Sequence, residues 1–264
     1  MTPLLIATDL DGTLVRTDGT VSLRTRRVLD RVRAAGIPLV GVTGRGPRLI
    51  ELCRQDIPAA SYLALAQGGY VLDNATDRWL RETSLDGTVF AKAVDLIETE
   101  VGPVHVTVEA DISPEGPLWG DPGPSWPFTD TSWRPMPRAE ALSGPVLKVF
   151  VRAPALSPDE LLAVARSVVP PSLCEVTEAG TGYLELTPPG VTKATGLAVI
   201  TSTLGIDPAD VLVFGDAPND VPMLGWAGRR VAVANAHREV LALADEVTLS
   251  NDEDGVAAYL EKLL

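Results

Sequence analysis

The uninterrupted run Leu4-Leu5-Ile6-Ala7-Thr8 passes directly into Asp9-Leu10-Asp11-Gly12-Thr13. A short, unbroken apolar segment that stops at a turn signal reads as a strand buried on both faces of a parallel sheet. Open α/β sheets bind ligands in the crevice outside the carboxyl ends of their strands, so Asp9 and Asp11 are expected at such an edge. On an extended chain residues i and i+2 share a side, which would direct both carboxylates at one small target. Two close negative charges repel unless a cation or a shared proton relieves them, and the pair therefore implies a divalent metal. A calcium loop would need a glutamate at its twelfth position; counted from Asp9, that position is Thr20. Taken alone, the pair is equally compatible with a solvated turn.

The segments that follow extend the same architecture. Residues 23–35 place apolar and basic side chains at helical spacing and stop at Gly36. Residues 37–42 read as a second buried strand ending in Thr43-Gly44-Arg45, followed by a helical stretch to Gln55. Residues 62–66 read as a third strand, and Gly68-Gly69 leads into Tyr70-Val71-Leu72. This β-α-β-α-β order is that of a parallel doubly wound sheet. From about residue 80 to 189 the pattern is mixed. It comprises a helix over 89–99, a strand over 104–109, a Pro/Gly/Trp-rich stretch over 111–145, a strand over 146–152, a helix over 158–168, and short strands near Cys174 and over 183–187. Regular alternation returns after Gly190, with a helix over 192–204 and a strand over 211–214 that ends in Gly215-Asp216. A helix over 219–227, a strand over 230–234 and helices from His237 and Glu253 complete the chain. The expected organisation is an α/β core in two parts, 1–82 and 189–264, with an α+β domain over 83–188 inserted between them.

Composition narrows the function classes. A chain of 264 residues with 45% hydrophobic side chains has ample core. Its formal charge of −13 repels polyanions, which argues against nucleic acid or an anionic membrane as partner. No signal-peptide pattern and no apolar run of the ~18 residues needed to span a bilayer is visible, so a cytoplasmic location is expected. Cys53 and Cys174 are far apart and outside any Cys-x-x-Cys pair, which fits reduced, buried thiols. The two histidines, His105 and His237, leave little room for a Ser-His-Asp triad or a histidine-rich metal site. Nothing in the sequence points to a protein partner.

Three further segments fall at strand ends or helix starts of the expected core. Thr43 offers a hydroxyl, and Gly44 lets a backbone N–H approach an anion closely; an ordinary helix cap is the alternative. Lys193 opens a helix after Pro188-Pro189-Gly190, where a cation is unhelpful to the helix dipole; a solvated lysine is the alternative. Asp216-Ala217-Pro218-Asn219-Asp220 brings two more carboxylates to a strand-to-helix turn, where a capping aspartate is the alternative. Together the four segments meet the needs of phosphoryl transfer. That chemistry takes an in-line nucleophile, positive charge on the equatorial oxygens, a metal and a proton donor. Asp9 can be the nucleophile, forming an aspartyl-phosphate, and Asp9 with Asp216 can hold Mg2+.

These residues resemble the haloacid dehalogenase superfamily of phosphatases. Asp9-Leu10-Asp11-Gly12-Thr13 is similar to its first motif, Thr43 to its second, Lys193 to its third, and Gly215-Asp216-Ala217-Pro218-Asn219-Asp220 to its fourth. The long insertion between the second and third motifs resembles the Cof-type branch with its α/β cap. Val233-Ala234-Asn235-Ala236, Ala244-Asp245 and the stretch from Asn251 to Val256 add to that likeness. The resemblance implies a Rossmann-like core and a Mg2+-dependent phosphatase acting on a small phosphorylated metabolite such as a sugar phosphate. It further implies Asp9 as nucleophile, and Asp11 as general acid, then base, and as a metal ligand through its main-chain carbonyl. Thr43 and Lys193 would hold the phosphoryl oxygens, with Asn219 reaching the same group. Asp216 would bind the metal, and Asp220 would orient the metal waters or Lys193.

Two departures from the resemblance bear on the site. Gln67-Gly68-Gly69 stands where relatives carry an asparagine-glycine pair, and Ala217-Pro218 replaces a more polar pair; the proline is expected to stiffen the turn and leave Asp216 unaffected. In the insertion, Trp119, Trp126 and Trp133 supply three of the five tryptophans, either as cover for a sheet or as a loop closing over a sugar ring. A phosphomutase, using the same aspartates, and a catalytically silent phosphometabolite sensor are the competing readings. The sensor should lack a nucleophile, lysine or metal carboxylate, and this chain has all of them.

Overall fold

The computed structural model describes residues 2–110, 112–113, 116–121, 123 and 133–264. The chain divides into two compact units, one of residues 1–45, 49–82 and 192–264 and the other of residues 46–48 and 83–191.

The first unit is built on an eight-stranded sheet. Across it run Glu246–Val247, Arg229–Ala232, Val211–Gly215, Leu5–Asp9, Leu39–Val42, Tyr62–Leu65, Tyr70–Asp73 and Arg78–Glu82. Neighbours from Glu246–Val247 through Tyr62–Leu65 pair in parallel. The strand Leu5–Asp9 is buried along its whole length, as its unbroken apolar sequence requires. Leu5, Ala7, Val40, Val42, Val211 and Val213 pack on one face against Leu197, Ile200, Met223, Leu224 and Val240 from the helices Lys193–Leu204, Val221–Trp226 and Arg238–Leu243. On the other face Phe214 meets Tyr259 of the helix Gly255–Leu263 edge to face, with ring centroids 5.4 Å apart. The fold is therefore a doubly wound α/β core with helices on both faces of the sheet.

The chain passes from Leu5–Asp9 to Leu39–Val42 on one side and returns through Val211–Gly215 on the other. The reversal of strand order falls between Leu5–Asp9 and Val211–Gly215. Ligands of doubly wound sheets bind at such a switch point. One edge departs from the parallel pattern: Tyr70–Asp73 and Arg78–Glu82 are antiparallel to their neighbours. Arg78–Glu82 has no buried residue, so the apolar alternation that would reveal it is absent from its sequence.

The second unit carries a six-stranded sheet ordered Glu175–Glu178, Leu184–Thr187, Lys148–Arg152, His105–Glu109, Leu118–Asp121 and Trp133–Arg134. Val106, Val108, Val149, Val151, Leu184 and Leu186 face Phe90, Val94 and Ile97 of the helix Gly87–Val101, and Leu161, Leu162 and Ala165 of the helix Pro158–Val168. Ser157 starts the latter with a reciprocal capping box to Glu160 and Pro158 in the first turn. Trp119 packs against this cluster, and Trp133 against a smaller one of Leu118, Phe150 and Tyr183. Both rings thus cover sheet surface; Trp126 lies outside the described residues. Lys148 stands between Glu185 at 3.1 Å and Glu109 at 3.6 Å, all three nearly inaccessible. Among the described residues, no helix is long and apolar enough to cross a membrane.

Candidate active site

Strand register assembles the site. Asp9 is the last residue of its strand and pairs with Val42, so Thr43 follows at the neighbouring strand end. On the other side Thr8 pairs with Phe214, which brings Gly215-Asp216 to the same edge. Lys193 opens the helix Lys193–Leu204, whose amino end is capped by Thr192 accepting from Thr195 N. That helix comes close because two glycines meet: a Cβ on Gly196 would lie 2.6 Å from Gly68 Cα, and one on Gly68 would lie 2.6 Å from Thr192 O. Gly68 also has φ +89°, a conformation that side-chain-bearing residues rarely adopt. Gly68 of the Gln67-Gly68-Gly69 segment therefore has a packing role. Gln67 additionally accepts from Asn219 Nδ2 at 3.2 Å, which joins it to the fourth motif.

Lys193 is fully buried and donates to Asp9 Oδ1 and, at 2.6 Å, to Asp220 Oδ1. Asp220, equally buried, accepts at Oδ2 from the backbone N–H groups of Asp216 (2.8 Å) and Ala217 (3.0 Å). It thereby fixes both the turn and the lysine. Asp216 Oδ1 accepts from Thr13 Oγ1 at 2.6 Å. Pro218 sits in the first turn of the short helix Pro218–Asp220, where its missing N–H leaves no bond unmade. Thr43 is buried and accepts from Arg45 N at 3.1 Å through its hydroxyl oxygen, which leaves the hydroxyl proton able to donate.

Three carboxylates and one ammonium leave the cluster with an excess of negative charge. Burial pushes the Asp9 carboxyl well above its ordinary range; Lys193 opposes the shift, while Asp220, Asp216 and Asp11 add to it. Asp216 is pushed up to about 7, by burial first and then by the charge of Asp220. Burial works against the Lys193 charge, but Asp220 and Asp9 outweigh it and hold its pKa above the ordinary value. Asp9, Asp216 and Asp220 each offer an oxygen, all within 4.8 Å of one another, a hard donor set that can hold a divalent cation. Since Asp220 already serves Lys193 and two N–H groups, Asp9 and Asp216 have the greater capacity to ligate.

Gly12 joins the first motif to this cluster. Its φ is +84°, and a Cβ there would lie 2.5 Å from Asp216 Oδ2. Gly12→Ala should cost about 1–2 kcal/mol from the left-handed backbone alone and should displace the Asp216 carboxylate. The expected result is a lower Tm and weaker divalent-cation binding by calorimetry. Wild-type metal affinity in the Gly12→Ala protein would contradict this account of the turn.

Asp11 stands apart from the cluster. The strand ends at Asp9, and Thr13, Leu14 and Val15 all direct their N–H groups to Leu10 O in a tight turn. The extended strand thus gives way to a turn at Leu10. The Asp11 side chain, 51% exposed, is gripped by Arg45 through Nε to Oδ2 at 2.9 Å and a terminal nitrogen to Oδ1 at 2.6 Å. The other terminal nitrogen of Arg45 donates to buried Asp56 at 2.6 Å. Sequence reading passed over Arg45 and Asp56. The one signal for Asp56 was a carboxylate closing a helix, Ile50–Asp56, where the dipole disfavours it unless a cation is near.

Residues 6–260 match the haloacid dehalogenase-like hydrolase family. The chain is 30% identical over 268 residues to a 5-amino-6-(5-phospho-D-ribitylamino)uracil phosphatase of Bacillus subtilis, covering 98% of this chain and 97% of that protein. It is 27% identical to a phosphoglycolate phosphatase of Methanothermobacter thermautotrophicus, covering 98% of each. Among solved structures, the HAD subclass IIB sugar phosphatase BT4131 superposes with a TM-score of 0.81 at 22% identity, over 98% of this chain and 99% of the other, a likeness of fold. The haloacid dehalogenase resemblance read from the motifs is thus met by the family match and the relatives, and the expected α/β fold by the solved structure. This chain belongs to the haloacid dehalogenase-like hydrolases and is a phosphatase.

Proposed function

We propose that the protein removes phosphate from a sugar phosphate or a similarly small phosphorylated metabolite, with Mg2+, through an aspartyl-phosphate on Asp9. The observation that carries this reading is the buried Lys193, shared by Asp9 and Asp220, beside Asp216 at the switch point of the sheet. Asp9 Oδ attacks phosphorus in line as the bond to the substrate oxygen breaks, and Asp11 delivers a proton to that leaving oxygen. Thr43, Gly44, Lys193 and Asn219 hold the phosphoryl oxygens. Water then attacks the aspartyl-phosphate, Asp11 takes its proton, and inorganic phosphate leaves with the Asp9 carboxylate restored. Mg2+ held by Asp9, Asp216 and the Asp11 main-chain carbonyl would neutralise charge on the transferring group. Asp220 acts by fixing Lys193 and the Asp216 turn.

A phosphorylated sugar-like chain as substrate is supported by the Bacillus subtilis relative, whose named substrate carries its phosphate on a ribityl chain. The test is a panel of sugar phosphates, phosphoglycolate and the ribitylaminouracil phosphate incubated with Mg2+. Release of inorganic phosphate, with selectivity for sugar-like esters, is the expected result. An isomeric phosphoester without free phosphate would identify a mutase, and inertness toward every ester would favour a sensor.

A further inference from the structure

Arg45 occupies a position that phosphate binding does not explain. Its guanidinium forms a two-bonded fork with Asp11 and spends its remaining terminal nitrogen on Asp56. Burial works against the guanidinium charge, while Asp11 and Asp56 hold it firmly protonated. Asp56 is 6% exposed and ends its helix, where its charge needs a cation. The Arg45 backbone is fixed as well: its N–H donates to Thr43 Oγ1 at 3.1 Å, and its carbonyl accepts from Ala66 N at 2.8 Å. Arg45 is therefore held at both ends, whereas the Asp11 side chain it grips is half exposed. Planar, bidentate contact of this kind fixes a carboxylate in orientation as well as place.

We infer that Arg45, anchored by Asp56, is a positioning residue for Asp11. The inference rests on the proposed acid–base role of Asp11. When Asp11 gives its proton to the leaving oxygen, the bond from phosphorus to that oxygen breaks and a carboxylate is left. The Arg45 fork is shaped for that carboxylate and returns it to one orientation, from which Asp11 takes a proton as water attacks the aspartyl-phosphate. Asp56 keeps the fork from following Asp11 when the carboxylate leaves it. A lysine at position 45 would keep the charge without the fork.

The test follows phospho-enzyme formation in single turnovers with two esters, the best sugar phosphate of the panel and 4-nitrophenyl phosphate. A sugar alkoxide needs a proton to leave and a nitrophenolate does not, so loss of the general acid, worth about 10²–10⁴-fold, falls mainly on the sugar ester. Arg45→Met is expected to slow the sugar ester at least about 10-fold while slowing the nitrophenyl ester far less, a part of the general-acid contribution. Arg45→Lys and Asp56→Asn should show the same contrast in weaker form. In an Asp11→Asn background, Arg45→Met should add no further loss on the sugar ester. Equal losses on both esters, or a loss that multiplies fully with Asp11→Asn, would overturn the inference. If Arg45→Met does not fold, the Lys and Asp56→Asn variants decide by the same contrast. Absence of any contrast in Asp11→Asn itself removes the acid role of the proposed function and this inference with it. A contrast in Asp11→Asn that is missing from all Arg45 and Asp56 variants removes the inference alone.

Discussion

Asp9→Asn is expected to give a folded protein with no measurable phosphate release, a loss of at least about 10⁴-fold, the scale seen when a nucleophile is removed from an enzyme that depends on it. The amide cannot attack phosphorus, and in this site nothing can substitute for it. Asp11 is turned toward Arg45, Asp220 is saturated by Lys193 and two backbone N–H groups, and Asp216 accepts from Thr13. Folding should survive, because the substitution removes a buried charge whose carboxyl is strained upward by burial and by its acidic neighbours. Lys193 keeps Asp220 as its partner. Acid-quenched wild-type protein should carry one phosphoryl group on the peptide containing Asp9, found by mass spectrometry, and the variant none. A phosphorylated variant, or one retaining a tenth of wild-type turnover, would move the nucleophile elsewhere.

Removal of divalent cations should abolish turnover and leave a signature in stability. Asp216 in the cation-free protein has its pKa raised to about 7, from burial and then from Asp220. An unfolded aspartate titrates near 4, so the folded state holds this proton more tightly than the unfolded state. The stabilising contribution is therefore complete below about pH 4 and is lost as pH rises through about 7. Asp9 shifts in the same direction. Thermal melts of chelated protein should accordingly fall in Tm between about pH 4 and 7, and Mg2+ should raise Tm most at the alkaline end. In Asp216→Ala the Mg2+ response and the turnover should both disappear. A Tm that rises with pH in the chelated protein, or full activity after exhaustive chelation, would count against the cation site.

Most of the core was legible because its strands are buried on both faces. Leu5–Asp9 and Val211–Gly215 have no exposed residue, so the hydrophobic pattern has no gaps and the polar residue that ends it stands out. Three of the four motif segments were legible for the same reason, since each begins where an apolar run stops, whereas Lys193 was marked by opening a helix after Pro188-Pro189-Gly190. Arg78–Glu82 and Glu246–Val247 were not, since edge strands with exposed side chains carry no such pattern. Nor was the contact of Asp11 with Arg45, or of Arg45 with Asp56. The residues lie 34 and 11 positions apart, and charged side chains that meet only through tertiary folding leave no local periodicity. The turn that starts at Leu10 was not legible either, since its bonds are made by main-chain groups of Thr13, Leu14 and Val15.

The backbone contact between Gly68 and Gly196 seats part of the site directly on main chain. With no side chains between them, the loop after Tyr62–Leu65 and the helix bearing Lys193 have no compliant layer to absorb a shift. Withdrawing Lys193 would mean parting two main chains. The lysine is thus part of the frame of the first unit. The half-exposed Asp11 side chain is held instead through the Arg45 fork, so main-chain packing sets the lysine and one side chain sets the neighbouring carboxylate.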